Sequence, residues 1–301
     1  MMNCPSFIVN GRSVEVHRPV SDKGGLGILR IWKLLCLAVV CCFVLGGCAL
    51  PEKTGGETAE KAVQTKQTAP AVPEKVPEQG VPVLMYHMIG DVKDNDAVLL
   101  ESHFRQQMQF LKDNDYHPIT LQQLYAYMVN KQPIPERPVV LTFDDGYPDT
   151  YTVVTPIMKE YGFACTVFIP TYDADQGTRL TWQQIKEMQA AGIQIASHCH
   201  HHDEMGEMTA EQLRSEIATS QQRLKEELGI DNAFFCYPYG SEDEAAEKEL
   251  RRAGIKLAFT MKSGWAKYGD NPYAVRRVWI GNAVDIDNFR QRLTTERYAS
   301  R

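Results

Sequence analysis

Cysteine is scarce in most of this chain, although eight are present among its 301 residues. Five of the eight lie within the first 48 residues, which leaves only Cys165, Cys199 and Cys236 in the remainder. An odd number of so few cysteines does not make the disulfide framework that stabilises many small exported domains. We therefore expect a fold held together by its core, in which pairing of Cys199 with Cys236 stays open.

A concentrated stripe of basic residues is also missing. The net charge is −6, and residues of both signs are interspersed along the chain. Neutralising a phosphate backbone takes clustered Lys and Arg, so nucleic acid is not expected as a partner. The composition, 44% hydrophobic and 23% charged, is that of an ordinary globular protein, which we expect to be a monomer.

The apolar run from Leu34 to Leu45 is too short for a permanent transmembrane helix, which needs about 20 apolar residues. Arg30 and Lys33 precede the run, a pattern typical of a secretory signal. The stretch Leu45-Gly46-Gly47-Cys48 resembles the lipobox of bacterial lipoproteins, which implies that Cys48 is lipidated and anchors an exported protein to the membrane. An uncleaved signal anchor is the alternative.

Aromatic residues are absent from Pro51 to Gly80, where Pro, Glu, Lys, Thr, Gln and Ala dominate. Such a segment cannot bury enough apolar surface to offset its chain entropy. The sequence therefore predicts a signal segment at 1–48, a disordered tether at 49–80 and a folded domain at 81–301.

Strand and helix signals alternate throughout the folded domain. Helices are indicated by Ser102 as a cap before the apolar face of Phe104, Met108 and Leu111, and by Thr-x-x-Gln capping boxes that begin at Thr120, Thr181 and Thr209. Strands are predicted at Val81–His87, Val139–Phe143, Ala164–Ile169, Ile193–Ser197, Ala233–Tyr237, Lys256–Thr260 and Val275–Ile280. This alternation predicts an α/β fold whose parallel sheet is either open or closed into a barrel.

Polar side chains follow three of the predicted strands. They are Asp144 and Asp145, the group from His198 to His202, and the turn from Tyr237 to Gly240. Because the carboxyl ends of parallel strands meet at one face, we expect these groups to lie on the same rim.

Two carboxylates and a pair of imidazoles suit a divalent metal, with zinc as the expected ion. One Asp can bind the metal while its neighbour accepts a proton from water, and backbone N–H groups of the Tyr237–Gly240 turn can complete an oxyanion site. This chemistry indicates hydrolysis of an amide or an ester.

Residues 81 to about 293 resemble the polysaccharide deacetylases with a NodB homology domain, carbohydrate esterase family 4. Thr142-Phe143-Asp144-Asp145-Gly146 matches the first family motif, which implies that Asp144 is the catalytic base and Asp145 a metal ligand. His198 and His202 match the second motif and are implied as the other ligands. The family fold is a distorted (β/α) barrel of about seven parallel strands. The stretch from Pro82 to His87 is similar to the subgroup that deacetylates poly-β-1,6-N-acetylglucosamine.

The chain departs from the family at several positions. Cys199 replaces a Ser or Thr, and Cys236 stands where an Arg ordinarily orients the catalytic Asp, so that role is vacant or falls to Arg276 or Arg277. No histidine follows His202, although the family's general acid is a late His.

For the missing acid, His87 is the candidate, and Tyr239 is assigned to the oxyanion turn. Trp265 lies near the family's aromatic motif. His200 and His201 have no matching positions and are expected to be exposed or to lie behind the ligands.

The resulting hypothesis is a metal-dependent, membrane-anchored enzyme that deacetylates an N-acetylglucosamine-containing polysaccharide. Two rivals stay open. One is a catalytically degenerate carbohydrate-binding lipoprotein, motivated by the missing Arg and late His. The other is a solute-binding lipoprotein, which would have two lobes and a hinge.

Overall fold

The structure, a computed structural model, describes residues 72–91 and 95–298. All of them belong to one compact unit. The predicted signal segment, Cys48 and the first part of the predicted tether, residues 49–71, lie outside the described residues.

Seven parallel strands close into a ring. They are β1 (Val83–Tyr86), β2 (Pro138–Phe143), β3 (Thr166–Ile169), β4 (Gln194–Ser197), β5 (Phe234–Cys236), β6 (Leu257–Ser263) and β7 (Val275–Trp279). The ring closes because Leu84 of β1 pairs with Leu141 of β2 on one side and with Val278 of β7 on the other. The sequence left an open sheet and a barrel as alternatives, and the barrel is confirmed.

Helices follow the strands around the outside of the ring. They are α1 (Glu101–Asp113), α2 (Leu121–Asn130), α3 (Thr155–Tyr161), α4 (Trp182–Ala190), α5 (Ala210–Leu228), α6 (Glu244–Arg252) and α7 (Ile286–Thr294). The capping boxes at Thr120, Thr181 and Thr209 are all present. Within residues 72–91 and 95–298, no helix combines the length and apolar character needed to cross a bilayer.

The prediction that Ser102 caps the first helix is wrong. A helix capped by Ser102 would begin at His103, but this helix begins two residues earlier, at Glu101, with Leu100 as its N-cap. Ser102 therefore lies inside the first turn, where Glu101 places a negative charge near the positive end of the helix dipole.

Strand alternation divides the core into two layers. On β2, Leu141 and Phe143 pack toward the helices, whereas Val140 belongs to a second cluster with Phe168 of β3 and Phe259 of β6. That second cluster continues into Leu124 and other residues of α2, so α2 packs against the amino-terminal end of the ring. The interior at that end is filled by side chains, which leaves the opposite, carboxyl-terminal rim for a site.

The folded unit extends further toward the amino terminus than the predicted boundary at residue 80. Glu74 and Lys75 pair with Pro135 and Ile134 in a short antiparallel ladder, and the hydroxyl of Tyr127 donates a hydrogen bond of 2.9 Å to the carbonyl of Pro77. Residues 72–80 thus contact the amino-terminal side of the barrel, and the prediction of a disordered tether is wrong for them. The composition of this segment is poor in apolar residues, but backbone pairing does not depend on side chains.

We expect Tyr127→Phe to lower the free energy of unfolding by about 1 kcal/mol, because it leaves the Pro77 carbonyl without its side-chain donor. Chemical denaturation followed by circular dichroism measures the effect. Tyr268→Phe, at a tyrosine that is 50% exposed, is the matched control and should leave the unfolding midpoint unchanged. Equal stability of the two variants would show that the hydrogen bond from Tyr127 to Pro77 contributes nothing.

Candidate active site

Asp144 and Asp145 follow β2 directly and are both buried. The N–H of Asp144 donates to the carbonyl of Tyr86 at 3.0 Å, which continues the pairing of β1 and β2 by one residue. At Asp145 the backbone enters the left-handed region, with φ of 70°. The change in backbone conformation directs two adjacent carboxylates to different partners.

Arg277 of β7 holds the first carboxylate. Its Nη1 donates to Asp144 Oδ1 at 2.8 Å and its Nη2 to Asp144 Oδ2 at 2.7 Å, while its Nε donates to the carbonyl of Thr260 at 2.9 Å. The side chain of Arg277 is fully buried. A charge in that position is tolerated only when it is paired and hydrogen-bonded, and here both conditions are met.

The same pair sets the protonation of Asp144. Burial by itself would raise the pKa of the carboxyl, but the charge and hydrogen bonds of Arg277 outweigh burial and hold the pKa below its usual value. Asp144 is therefore an oriented carboxylate at neutral pH.

Asp145, His198 and His202 converge at the second carboxylate. The Nε2 atoms of both histidines lie 3.2 Å from Asp145 Oδ1, and one donor atom from each of the three residues falls within 4.8 Å of the others. His198 Nδ1 is 2.7 Å from the carbonyl of Cys236, to which it can donate, so its Nε2 is left free as a ligand. Two imidazoles and a carboxylate fit a catalytic divalent site such as that of zinc, in which three protein ligands leave a position open.

Asp144, His198 and Cys236 form a second close group of donors. A metal does not suit this group, because Nη2 of Arg277 already lies 3.1 Å from the Cys236 sulfur and 2.7 Å from Asp144. Burial raises the pKa of the Cys236 thiol although the charge of Arg277 opposes it, so the sulfur stays protonated. The guanidinium of Arg277 thus occupies the position that a metal ion would take in this group.

The remaining members of the histidine-rich loop face away from Asp145. His200 Nδ1 lies 2.8 Å from Thr171 Oγ1, and His201 Nδ1 lies 2.8 Å from Glu216 Oε1. Cys199 is buried, and its sulfur points toward Glu216 at 3.4 Å. The soft thiol between the two predicted ligands therefore does not compete for the metal.

Cys199 and Cys236 are both free thiols, as is Cys165. The pairing that the sequence left open does not occur. Their positions explain this: Cys199 packs in a cluster with Leu213 and Ile217 of α5, whereas Cys236 lies inside the ring beside Arg277.

His87 follows β1 and lies at the edge of the site. Its Nε2 is 4.0 Å from Asp144 Oδ2, and its side chain is 15% exposed. The ring packs against Trp279, with 4.9 Å between ring centroids, and Trp279 Nε1 donates to Asp96 Oδ2 at 2.9 Å. Burial lowers the pKa of His87, although the charges of Asp144 and Asp145 act against it.

The turn after β5 lies beside the predicted ligands. The Tyr239 ring is 4.6 Å from that of His202, and its backbone is left-handed, with φ of 56°. The N–H of Tyr237 donates to Phe259 and that of Gly240 to Tyr237, while Pro238 has no N–H. Among these four residues, Tyr239 therefore supplies the backbone donor that can face a substrate.

Two residues of the site were missed or left undecided by the sequence. Arg276 and Arg277 were equal candidates, but alternation along β7 exposes Arg276 and buries Arg277. The aromatic residue beside the acid candidate is Trp279. Trp265, which the sequence placed near the family's aromatic motif, donates to the carbonyl of Arg292 on α7 at 3.1 Å. The strand alternation could have selected Arg277; no local signal selected Trp279.

The chain is similar in sequence to several known proteins. The family model for polysaccharide deacetylase matches residues 131–258. A Bacillus subtilis protein with the name "Putative polysaccharide deacetylase YxkH" is 30% identical over 260 residues, which are 82% of this chain and 92% of that protein. The poly-β-1,6-N-acetyl-D-glucosamine N-deacetylase of Escherichia coli K12 is 25% identical over 73% of this chain, which spans only 39% of the longer protein.

A solved structure has the same fold. The deacetylase PplD of Streptococcus pyogenes, in complex with acetate, superposes with a TM-score of 0.68 and 25% identity. The match covers 74% of this chain and 99% of that chain. The comparison extends over nearly the whole described barrel.

We expect His202→Ala to lose bound metal, because it removes one of the three converging donors. The loss of affinity should exceed the roughly 10- to 100-fold typical of losing an outer-shell partner. His200→Ala and His201→Ala are matched controls from the same loop and should retain metal, since neither ring faces Asp145. The metal bound to each variant after dialysis is measured by mass spectrometry. Retention of metal by His202→Ala together with loss of metal by His200→Ala would refute the assignment.

Proposed function

This chain belongs to the polysaccharide deacetylase family, and on that premise we propose that it hydrolyses the N-acetyl groups of N-acetylglucosamine units in an extracellular or cell-wall polysaccharide. The observation that carries the proposal is the convergence of Asp145, His198 and His202 beside the buried pair of Asp144 and Arg277. Donors for a divalent metal and an oriented carboxylate are the two components that hydrolysis of an amide requires.

Asp145, His198 and His202 hold the metal in this proposal, with zinc as the expected ion. When bound there, such an ion would polarise a carbonyl oxygen and lower the pKa of water. Asp144 accepts the proton of the attacking water. Each carboxylate oxygen has two acceptor positions, so the bonds from Arg277 leave room for that proton.

The backbone N–H of Tyr239 donates to the oxygen that becomes negatively charged as the carbonyl is attacked. Arg277 acts as a positioning residue, because it contacts Asp144 and is itself fully buried. His87 donates a proton to the departing amine. A proton taken up by Asp144 can pass to His87 through one water, across the 4.0 Å that separate Asp144 Oδ2 from His87 Nε2.

The positions of Arg277 and His87 argue against the alternative hypothesis of a catalytically degenerate binding protein. That hypothesis rested on the missing Arg and the missing late His. Arg277 supplies a guanidinium at the catalytic carboxylate from a different strand, and His87 supplies an imidazole near it. The rival of a two-lobed solute-binding protein is not supported, since the described residues build one closed barrel.

The relatives support the proposed substrate class. The Escherichia coli relative is named for poly-β-1,6-N-acetyl-D-glucosamine, and the segment from Pro82 to His87 resembles that subgroup. Removing acetyl groups from this polymer would release acetate and leave an ammonium on each glucosamine, which lets a neutral polymer adhere to anionic surfaces.

We also propose that the enzyme is an exported lipoprotein monomer, anchored through Cys48. The support is the apolar run followed by Leu45-Gly46-Gly47-Cys48. Anchoring through an amino-terminal lipid would hold the barrel on the extracytoplasmic side of the membrane, where such polymers occur.

Asp144→Asn should reduce kcat for acetate release from β-1,6-linked N-acetylglucosamine oligomers by roughly 10²- to 10⁴-fold, because the amide cannot accept the proton. Chelation should abolish activity and added Zn²⁺ should restore it. Asp203→Asn, at an exposed carboxylate that follows His202, is the control and should remain active. Because Asn leaves Arg277 unpaired, thermal unfolding must verify that the variant is folded. Full activity of folded Asp144→Asn, or of the chelated enzyme, would refute the mechanism.

His87→Gln should lower kcat on the amide by roughly 10²- to 10⁴-fold while metal content stays unchanged. The loss should be much smaller on an aryl acetate ester, because a phenolate with a good leaving tendency departs without a proton. His117→Gln, on the amino-terminal side of the barrel, is the matched control. Equal losses on amide and ester would show that His87 does not act as the acid.

A further inference from the structure

Exposed aromatic rings are concentrated on the rim that carries the site. Six large hydrophobic side chains are exposed among the described residues. Tyr172 follows β3 and Tyr239 follows β5, and both strands pair with β4, which leads into the histidine-rich loop. Two exposed tyrosines therefore flank that loop, one on each side. The mechanism uses the backbone of Tyr239 but gives Tyr172 no role.

Tyr172 is held firmly although its side chain is 50% exposed. Its N–H donates to the carbonyl of His200 at 2.9 Å, and its ring packs against His201 with 4.5 Å between centroids. His201 is fixed in turn, because Glu216 accepts from its backbone N–H and pairs with its Nδ1, both at 2.8 Å. The phenol ring is thus preorganised, with one part against an imidazole and the rest facing solvent.

We propose that Tyr172 is a stacking platform for the sugar unit next to the one being deacetylated, and that it selects longer polymers; this inference rests on the proposed function. Tyr172 contacts His201, which is adjacent in sequence to the metal-ligand candidate His202. This contact places the Tyr172 ring beside the loop that carries the metal candidates, where the unit covalently linked to the reacting one would lie.

The chemistry of the Tyr172 ring indicates which ligand packs on it. A pyranose offers an apolar C–H face, which packs against an aromatic ring, and hydroxyls at its edge that stay in water. A preorganised ring with two rotatable side-chain angles loses little conformational entropy when it binds. A neutral N-acetylglucosamine unit of the same polysaccharide offers both the apolar face and the hydroxyls at its edge.

The test compares Tyr172→Ala, Tyr172→Phe and Tyr268→Ala as zinc-loaded enzymes on β-1,6-linked N-acetylglucosamine dimer and hexamer. Tyr268 is the matched control, because it is also 50% exposed but lies near α2, away from the rim. Tyr172→Ala should raise KM for the hexamer by about 3- to 10-fold with kcat and metal content unchanged, while Tyr172→Phe stays near wild type. KM for the dimer should change less.

An unchanged KM for the hexamer in Tyr172→Ala, or an equal rise in Tyr268→Ala, overturns the inference. Equal rises for dimer and hexamer also overturn it, since the platform would then serve no additional unit. A hexamer whose binding improves only after partial deacetylation would assign the platform to glucosamine and overturn the choice of occupant.

Calorimetric binding separates this inference from the proposed function. If the wild-type protein releases no acetate, the proposed function is refuted. The hexamer Kd values of the wild type and Tyr172→Ala then test the platform independently of activity. About 3- to 10-fold weaker binding in the variant supports the platform, and equal binding overturns it. A wild-type protein that does not bind the hexamer overturns both.

Discussion

An ion pair inside the barrel, between Asp144 and Arg277, is the interaction on which the arrangement of the site depends. Arg277 ties β7 to β2 through Asp144 and to β6 through the carbonyl of Thr260, so one side chain links three strands around the ring. Either charge alone would be strongly unfavourable in that position, because removing one partner of a buried pair leaves the other uncompensated. The pair therefore keeps an ionised carboxylate in one orientation where burial alone would favour the neutral acid.

The neighbouring carboxylate depends on backbone conformation instead. Asp145, Cys199 and Tyr239 all have positive φ, between 56° and 72°, on three different strand ends. Such conformations cost about 1–3 kcal/mol each and persist only where the surroundings impose them. At Cys199 the conformation sends the thiol toward α5 while His198 remains beside Asp145, which explains how a five-residue loop presents only two of its four histidines to one carboxylate.

The sequence carried much of this information, but unevenly. Capping boxes and apolar periodicity predicted the helices, and strand ends placed Asp144, Asp145 and the histidines on one rim, because these patterns are local. Alternation along β7 could have distinguished Arg277 from Arg276, but ring closure and the packing of Trp279 on His87 depend on residues more than 100 positions apart, for which a single sequence has no local signal. Residues 72–80 were misassigned for the same reason, since their backbone pairs with Ile134 and Pro135 rather than with neighbours in sequence.

The barrel also determines from which side a substrate can approach. Among the described residues, apolar side chains and α2 fill the ring at its amino-terminal end, and residues 72–80 pack on that side. Asp144, Asp145 and the histidines are therefore approached from the carboxyl-terminal rim. On that rim, Tyr172 and Tyr239 are exposed on either side of the histidine-rich loop. A small substrate would need walls that bury it, whereas an extended polymer can be held by separate contacts along its length and needs only one unit to reach Asp144. In the described part of the chain, exposed aromatic rings on both sides of the loop therefore suit the proposed polysaccharide better than an isolated sugar.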